Sequence, residues 1–192
     1  MTHYYEEARS ETNPQEILVQ LNSDTFFLQT DNGLFSKDHL DNASKLLIES
    51  VTPKNSLLDL GCGYGVIGIA LLRQNPGLAT VLTDVNNRAV KTARKNVKEL
   101  SLQATVKQSD TYMNIDATFS DIVTNPPLSA GKDTWYEFIT QAPKHLEDEG
   151  RLSLVARHNK GGRSAEKKMK SVFGTVKTLG KSGGFRVYQS TK

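Results

Sequence analysis

The chain has one cysteine and one tryptophan in 192 residues, and none of its apolar stretches is long. A single thiol excludes an internal disulfide and a multi-cysteine metal site, and no metal is expected. Cys62 stands between Gly61 and Gly63, which suits a small packing residue better than a reactive thiol. No stretch approaches the roughly 18 apolar residues of a membrane-spanning helix. Residues 1 to 12 contain Glu6, Glu7 and Glu11 and lack the basic start and apolar run of a secretion signal, so a cytoplasmic location without membrane contact is expected. Internal repeats and low-complexity tracts are missing too. The length suits one domain with a substantial core.

Acid is scarce in one place. Residues 151–192 hold Glu166 as their one acid and carry a local net charge of +10, whereas residues 1–150 carry −7. A solvated basic face accounts for many such runs, and concentrated positive charge is also the footprint of a phosphate-backbone binder.

What is present is an alternation of short apolar runs and helical stripes. Ile17 to Leu21 and Thr25 to Gln29 read as strands, with Asp31-Asn32-Gly33 as a hairpin signal and Leu34 and Phe35 resuming the strand. A helix capped by Asp38 is expected to carry Leu40, Ala43 and Leu47 on one face and to end by Pro53. Ser56 to Gly68, SLLDLGCGYGVIG, then gives a buried strand, an acid, a glycine turn and a helix over Val66 to Gln74. Further strands are expected at Ala79–Thr83, Ala104–Gln108, Ser120–Thr124, Leu152–Ala156, Thr175–Leu179 and Phe185–Gln189. Val90, Ala93, Val97 and Leu100 form one helical stripe, and Trp135, Phe138, Ile139, Ala142 and Leu146 another, with Asp133 as its cap. Ser164 to Phe173 reads as a basic helix, and Lys181-Ser182-Gly183-Gly184 as a closing hairpin turn. The class is α/β, a mostly parallel sheet with an antiparallel C-terminal hairpin and helices on both faces.

Ligands of such sheets bind at the carboxyl ends of the strands, where Asp59, Asp84, Asp110 and Asn125 converge. Gly63, Gly65 and Gly68 also satisfy the dinucleotide pattern G-x-G-x-x-G, a weak signal alone. Asp84 is placed to accept hydrogen bonds from ribose hydroxyls and Asp110 one from an adenine amino group, and a cofactor containing adenosine satisfies both. Asn125-Pro126-Pro127 points to the reaction. An amino nitrogen conjugated to a π system is a poor nucleophile, and the Asn125 side-chain oxygen with the Pro126 carbonyl would hold it in place near an electrophile.

With DLGCGYG, Asp84, Asp110 and NPPL in hand, the chain resembles the class I S-adenosylmethionine-dependent methyltransferases. DNGLFSKDHLDNASKLLIES, NPPLSAGK and the SAEKKMKSVFG region narrow the resemblance to the small-domain ribosomal RNA guanine-N2 methyltransferases. The resemblance covers nearly the whole chain. It implies a seven-stranded Rossmann-like sheet in a single domain over 1–192, with residues 1–55 covering the cofactor site and 56–192 as the core. It implies methyl transfer to a guanine exocyclic amine in ribosomal RNA or a ribosomal subunit, with release of S-adenosylhomocysteine, by a monomer or weak homodimer. Carried over, Asp59, Gly61, Cys62, Gly63, Gly65, Val85, Thr111 and Asn125 bind the cofactor, Asp84 its ribose and Asp110 its adenine. Phe26, Gly33 and Phe35 close over it from the upstream hairpin. Asn125, Pro126, Pro127 and Leu128 hold the acceptor amine, Leu128 standing where many such loops have a stacking aromatic. The basic end, including Arg151, Arg157, Lys160, Arg163, Lys167, Lys168 and Lys170, is expected on RNA phosphates. His158 stands where it could face the substrate, and no histidine is needed as a base. The alternatives are methylation of a protein glutamine amide and a non-catalytic RNA-binding module.

Overall fold

The computed structural model describes residues 14–21, 24–31, 40–126 and 131–192. Strands β1 (Pro14–Gln20) and β2 (Thr25–Asp31) pair with each other as an antiparallel hairpin. The Leu21 N–H donates to the Asp24 carbonyl at 2.9 Å, closing that turn. The hairpin therefore folds at residues 21–24, and β2 continues through Asp31; Asn32, Gly33, Leu34 and Phe35 lie outside the described residues.

A seven-stranded sheet follows, built from β3 (Ser56–Leu60), β4 (Ala79–Asp84), β5 (Ala104–Gln108), β6 (Phe119–Thr124), β7 (Leu146–Arg157), β8 (Lys177–Ser182) and β9 (Phe185–Thr191). Its spatial order is β5-β4-β3-β6-β7-β9-β8, parallel from β5 to β7 and antiparallel at β9 and β8. The chain winds outward from β3 to β5, then returns to the other side of β3 at β6. That reversal opens a crevice at the carboxyl ends of β3 and β6. Gly183 and Gly184 join β8 to β9 with φ of 53° and 81°, the left-handed pair that a two-residue hairpin turn requires.

Helices α1 (Asn42–Ser50), α2 (Val66–Gln74) and α3 (Asn87–Glu99) cover one face, where Leu47, Ile69 and Ala93 pack with Leu57 and Val123. Helices α4 (Gly131–Gln141) and α5 (Arg163–Phe173) cover the other, where Ile139 and Met169 pack with Leu58 and Ile122. Strand residues of opposite parity feed the two cores, as a sheet buried on both faces demands.

Three expectations are corrected. The cap of α1 is Asp41, whose Oδ1 accepts the Ala43 and Ser44 N–H groups, and not Asp38, which lies outside the described residues. Leu146 opens β7 instead of continuing the α4 stripe, because α4 tightens into a 3₁₀ turn at Ala142–Lys144, where Pro143 lacks the N–H that an α-helix needs. Arg151 is not available to phosphates: it pairs at 2.7 Å with buried Asp121 and donates to the Thr52 carbonyl.

Candidate active site

The glycine turn after β3 is held from three sides. Gly61, Gly63 and Gly65 all take positive φ, 73°, 58° and 93°. The Gly61 and Cys62 N–H groups both donate to the Thr83 carbonyl of β4 at 2.8 Å, hooking the turn over the neighbouring strand. Gly65 opens α2, and a Cβ there would meet Ile69 at 3.0 Å and Leu82 at 3.1 Å, so its lack of a side chain serves helix-on-sheet packing. Gly63 differs. A Cβ there would meet nothing within 4 Å and would stand in the cleft, while its N–H donates to Asp84 Oδ2 at 2.8 Å.

Two buried carboxylates anchor the turn. Asp59 is fully buried, and its Oδ2 accepts the Gly68 N–H at 2.8 Å, satisfying a first-turn donor of α2 from the adjacent strand. Its Oδ1 has no partner among the described residues. Burial raises the Asp59 carboxyl to about 7, with the Gly68 N–H opposing and Asp84 adding to the rise. Asp84 accepts from Gly63 through Oδ2 and from Asn86 through Oδ1, both at 2.8 Å. Burial lifts its carboxyl above the ordinary range, and those backbone N–H groups oppose the lift. Ionised, the carboxylate has about four lone-pair sites, more than these N–H groups use. Burial, Asp59 and Asp84 push the Cys62 thiol well up, so it stays protonated.

Asn125 stands one residue past β6. Its Nδ2 donates to Ser44 Oγ at 3.0 Å and lies 3.5 Å from Asp41 Oδ1. A carboxylate only accepts, so the NH₂ side of the amide faces α1 and the carbonyl oxygen faces away from it. Helix α1 thereby fixes the orientation of the one side chain expected to grip an amine.

These groups share a cleft of about 600 Å³. At one end it is lined by Gly61, Gly63, Asp84, Asn86 and Ala89, and at the other by Asn125, Pro126, Trp135, Arg157, Lys160 and Phe185. Asp41 and Ser44 line it beside Asn125, and Cys62 and Tyr64 line it too. The buried Tyr64 hydroxyl has no hydrogen-bond partner among the described residues. Asp41, Ser44, Tyr64, Trp135 and Phe185 were not expected at the site; only Asp41-x-x-Ser44, a capping pattern in the right place, gave a local signal.

The remaining expected residues fall elsewhere. Asp59 and Gly65 lie beneath the turn instead of lining the cleft. Phe26 is buried under the Arg73 guanidinium, 4.6 Å from its ring, where it holds the hairpin on α2. The Val85 carbonyl accepts from Gln108, and Thr111 donates its hydroxyl to Glu137 at 3.1 Å. Asp110 is exposed in the turn after β5, and none of these last three lines the cleft. Gly33, Phe35, Pro127 and Leu128 lie outside the described residues. His158 Nε2 accepts from Arg163 Nε at 3.1 Å, which leaves its proton on Nδ1 to donate to Tyr188 Oη at 2.7 Å. It serves the β7–α5 junction and does not line the cleft.

A parallel sheet reversing at β3, a glycine turn bridged to an acid at the end of the next strand, and an Asn-Pro loop at the fourth define a class I methyltransferase fold. The family model described as methyltransferase small domain matches residues 25–189, and the chain belongs to that family. YbxB of Bacillus subtilis is 34% identical over 197 residues, covering 99% of this chain and 98% of that protein. Ribosomal RNA small subunit methyltransferase C of Aeromonas hydrophila is 42% identical over 129 residues, 65% of this chain and 38% of that one. A T. thermophilus 16S rRNA N2 guanosine methyltransferase, solved in complex with AdoMet and guanosine, superposes with a TM-score of 0.83 at 26% identity, covering 93% of this chain and 50% of that one. The chain spans half or less of the length of these ribosomal RNA methyltransferases.

The residues present fit S-adenosylmethionine. Asp84 offers open lone pairs for ribose hydroxyls, Gly63 leaves the space that a Cβ would fill, and Asp41 also lines the cleft.

Proposed function

We propose that this chain transfers a methyl group from S-adenosylmethionine to the exocyclic amine of a guanine in ribosomal RNA. One observation carries the reading: Asn125 presents its carbonyl oxygen, with the amide turned by Ser44, in the same cleft as the Asp84 carboxylate. The methyltransferase C relatives and the T. thermophilus structure supply the substrate class.

Asp84 would hold the cofactor ribose, with Gly61 and Gly63 beneath it. The cofactor supplies an electrophilic methyl group on a sulfonium. Asn125 Oδ1 and the Pro126 carbonyl would accept the two N–H groups of the target amine, drawing its lone pair out of conjugation and aiming it along the cleft. The amine sheds its extra proton after transfer, so no residue is required as a base beforehand. Exposed Lys160, Lys167 and Lys170 are candidates for phosphate contacts.

The test is labelled-methyl transfer from the cofactor to ribosomal subunits, naked ribosomal RNA and cellular protein. Label in guanine of RNA is expected, and its loss in Asn125→Ala with cofactor affinity kept. Label in protein glutamine, or cofactor binding without any transfer, would overturn the reading.

A further inference from the structure

The acceptor end of the cleft carries a flat cation on a ring. Arg157 ends β7 and pairs across the ladder with Phe185, the first residue of β9. The Arg157 guanidinium lies 4.9 Å from the centroid of the Phe185 ring, and Arg157 itself is exposed. Carboxylates hold Arg73 and Arg151, whereas an aromatic face holds Arg157. A guanidinium laid on a ring keeps its opposite face free for a second π system.

Its position follows from the register. Thr124 pairs with Leu154, so Asn125 stands level with Val155, one strand away. Val155, Val187 and Val123 all point into the α1-side core, and strand alternation puts Asn125, Arg157 and Phe185 on that same side. Arg157 is two residues beyond Val155, about 7 Å further toward the rim. That offset matches the breadth of a purine whose amine rests on Asn125. Trp135, the other large ring at this end, is packed under the backbone of Gly161, where a Cβ would come within 3.2 Å of it, and is buried. It forms a wall, and Arg157 offers the open face.

We infer that Arg157, backed by Phe185, is the platform on which the acceptor base stacks while Asn125 holds its amine. The inference rests on the proposed RNA substrate. Single-stranded or flipped-out bases are bound in this way by aromatic and guanidinium planes.

The test uses Arg157→Lys and Arg157→Ala, both at an exposed position, with Phe185→Leu as a third variant. Methyl transfer to ribosomal subunits gives kcat and KM, and titration with S-adenosylhomocysteine gives cofactor affinity. Both Arg157 variants are expected to raise the RNA KM about tenfold, and Phe185→Leu to raise it in the same direction, with cofactor affinity unchanged. Lysine keeps the charge and loses the plane. A wild-type KM in Arg157→Lys beside a raised one in Arg157→Ala would reduce Arg157 to a charge and overturn the inference. Equal loss of cofactor affinity would move Arg157 to the cofactor end and overturn it as well. Wild-type protein that binds S-adenosylhomocysteine but methylates no RNA would overturn the proposed function itself.

Discussion

The Asn125 amide donates to Ser44 Oγ at 3.0 Å, joining the loop after β6 to the first turn of α1 across 81 residues of chain. Ser44 is buried, and its own N–H is already committed to the Asp41 cap. Ser44→Ala removes the acceptor that fixes which side of the amide faces the acceptor end of the cleft. Transfer is expected to slow by about tenfold, the scale of one neutral hydrogen bond, with S-adenosylhomocysteine affinity unchanged. Single-turnover methyl transfer measures it, and an unaltered rate would remove Ser44 from the positioning of Asn125.

Asp84 is expected to set cofactor affinity through the lone pairs that Gly63 and Asn86 leave open. Asp84→Asn keeps the shape but turns one acceptor into a donor facing a backbone N–H. Calorimetric titration should show S-adenosylhomocysteine binding weakened by roughly 10- to 100-fold, the range of charge-assisted hydrogen bonds. Unchanged affinity would place the ribose elsewhere.

Stability should depend on pH through Asp59. Its carboxyl is raised to about 7 in the fold, so between its unfolded value and 7 the native state binds more protons than the unfolded one. Its contribution therefore grows as pH falls from 8 to 5 and fades as pH rises through 7. Asp24 has the opposite sign, because the Arg73 hydrogen bonds hold its carboxyl low, and its contribution is lost only in stronger acid. Urea unfolding at pH 5 and pH 8 is expected to show wild-type protein gaining about 2 kcal/mol on acidification that Asp59→Asn does not gain. Parallel behaviour of the two proteins would contradict the raised value.

Asn96 is a buried amide with three bonds: Nδ2 to the Gln29 and Tyr64 carbonyls, both at 2.9 Å, and Oδ1 from the Gln29 N–H at 2.8 Å. Asn96→Ala strands these backbone groups. A loss of about 3 kcal/mol in urea unfolding is expected, and a loss below a tenth of that would show that the hairpin and turn do not lean on it.

Much of the sheet was readable because a strand buried on both faces is rich in apolar residues, as in Leu57 to Leu60 and Leu152 to Ala156, each interrupted by one polar residue, and because Asp and Asn mark the carboxyl ends of the strands. The α2 boundaries at Val66 and Gln74 followed from glycine before and Asn75-Pro76 after. Leu146 was misread because helical spacing continued through Pro143 with nothing in the pattern to say that the chain had changed register. Asp38 and Asp41 are both cap residues by chemistry, and packing of Leu47 and Ile48 chooses between them. The contacts that orient the site were hidden: Ser44 with Asn125 and Gln29 with Asn96 are partners only once the sheet closes. Arg151 shows the converse, since charge could be counted but its pairing with Asp121 could not.

Asn96 also ties two separate parts of the chain together. It clasps both polar groups of Gln29 in β2 and, with the same amide, the carbonyl of Tyr64 in the glycine turn. Peeling the hairpin away frees the turn, and loosening the turn unclasps the hairpin. Hairpin and glycine turn thus share one buried anchor, and the geometry of the turn beside Gly63 depends on a strand far from it in sequence.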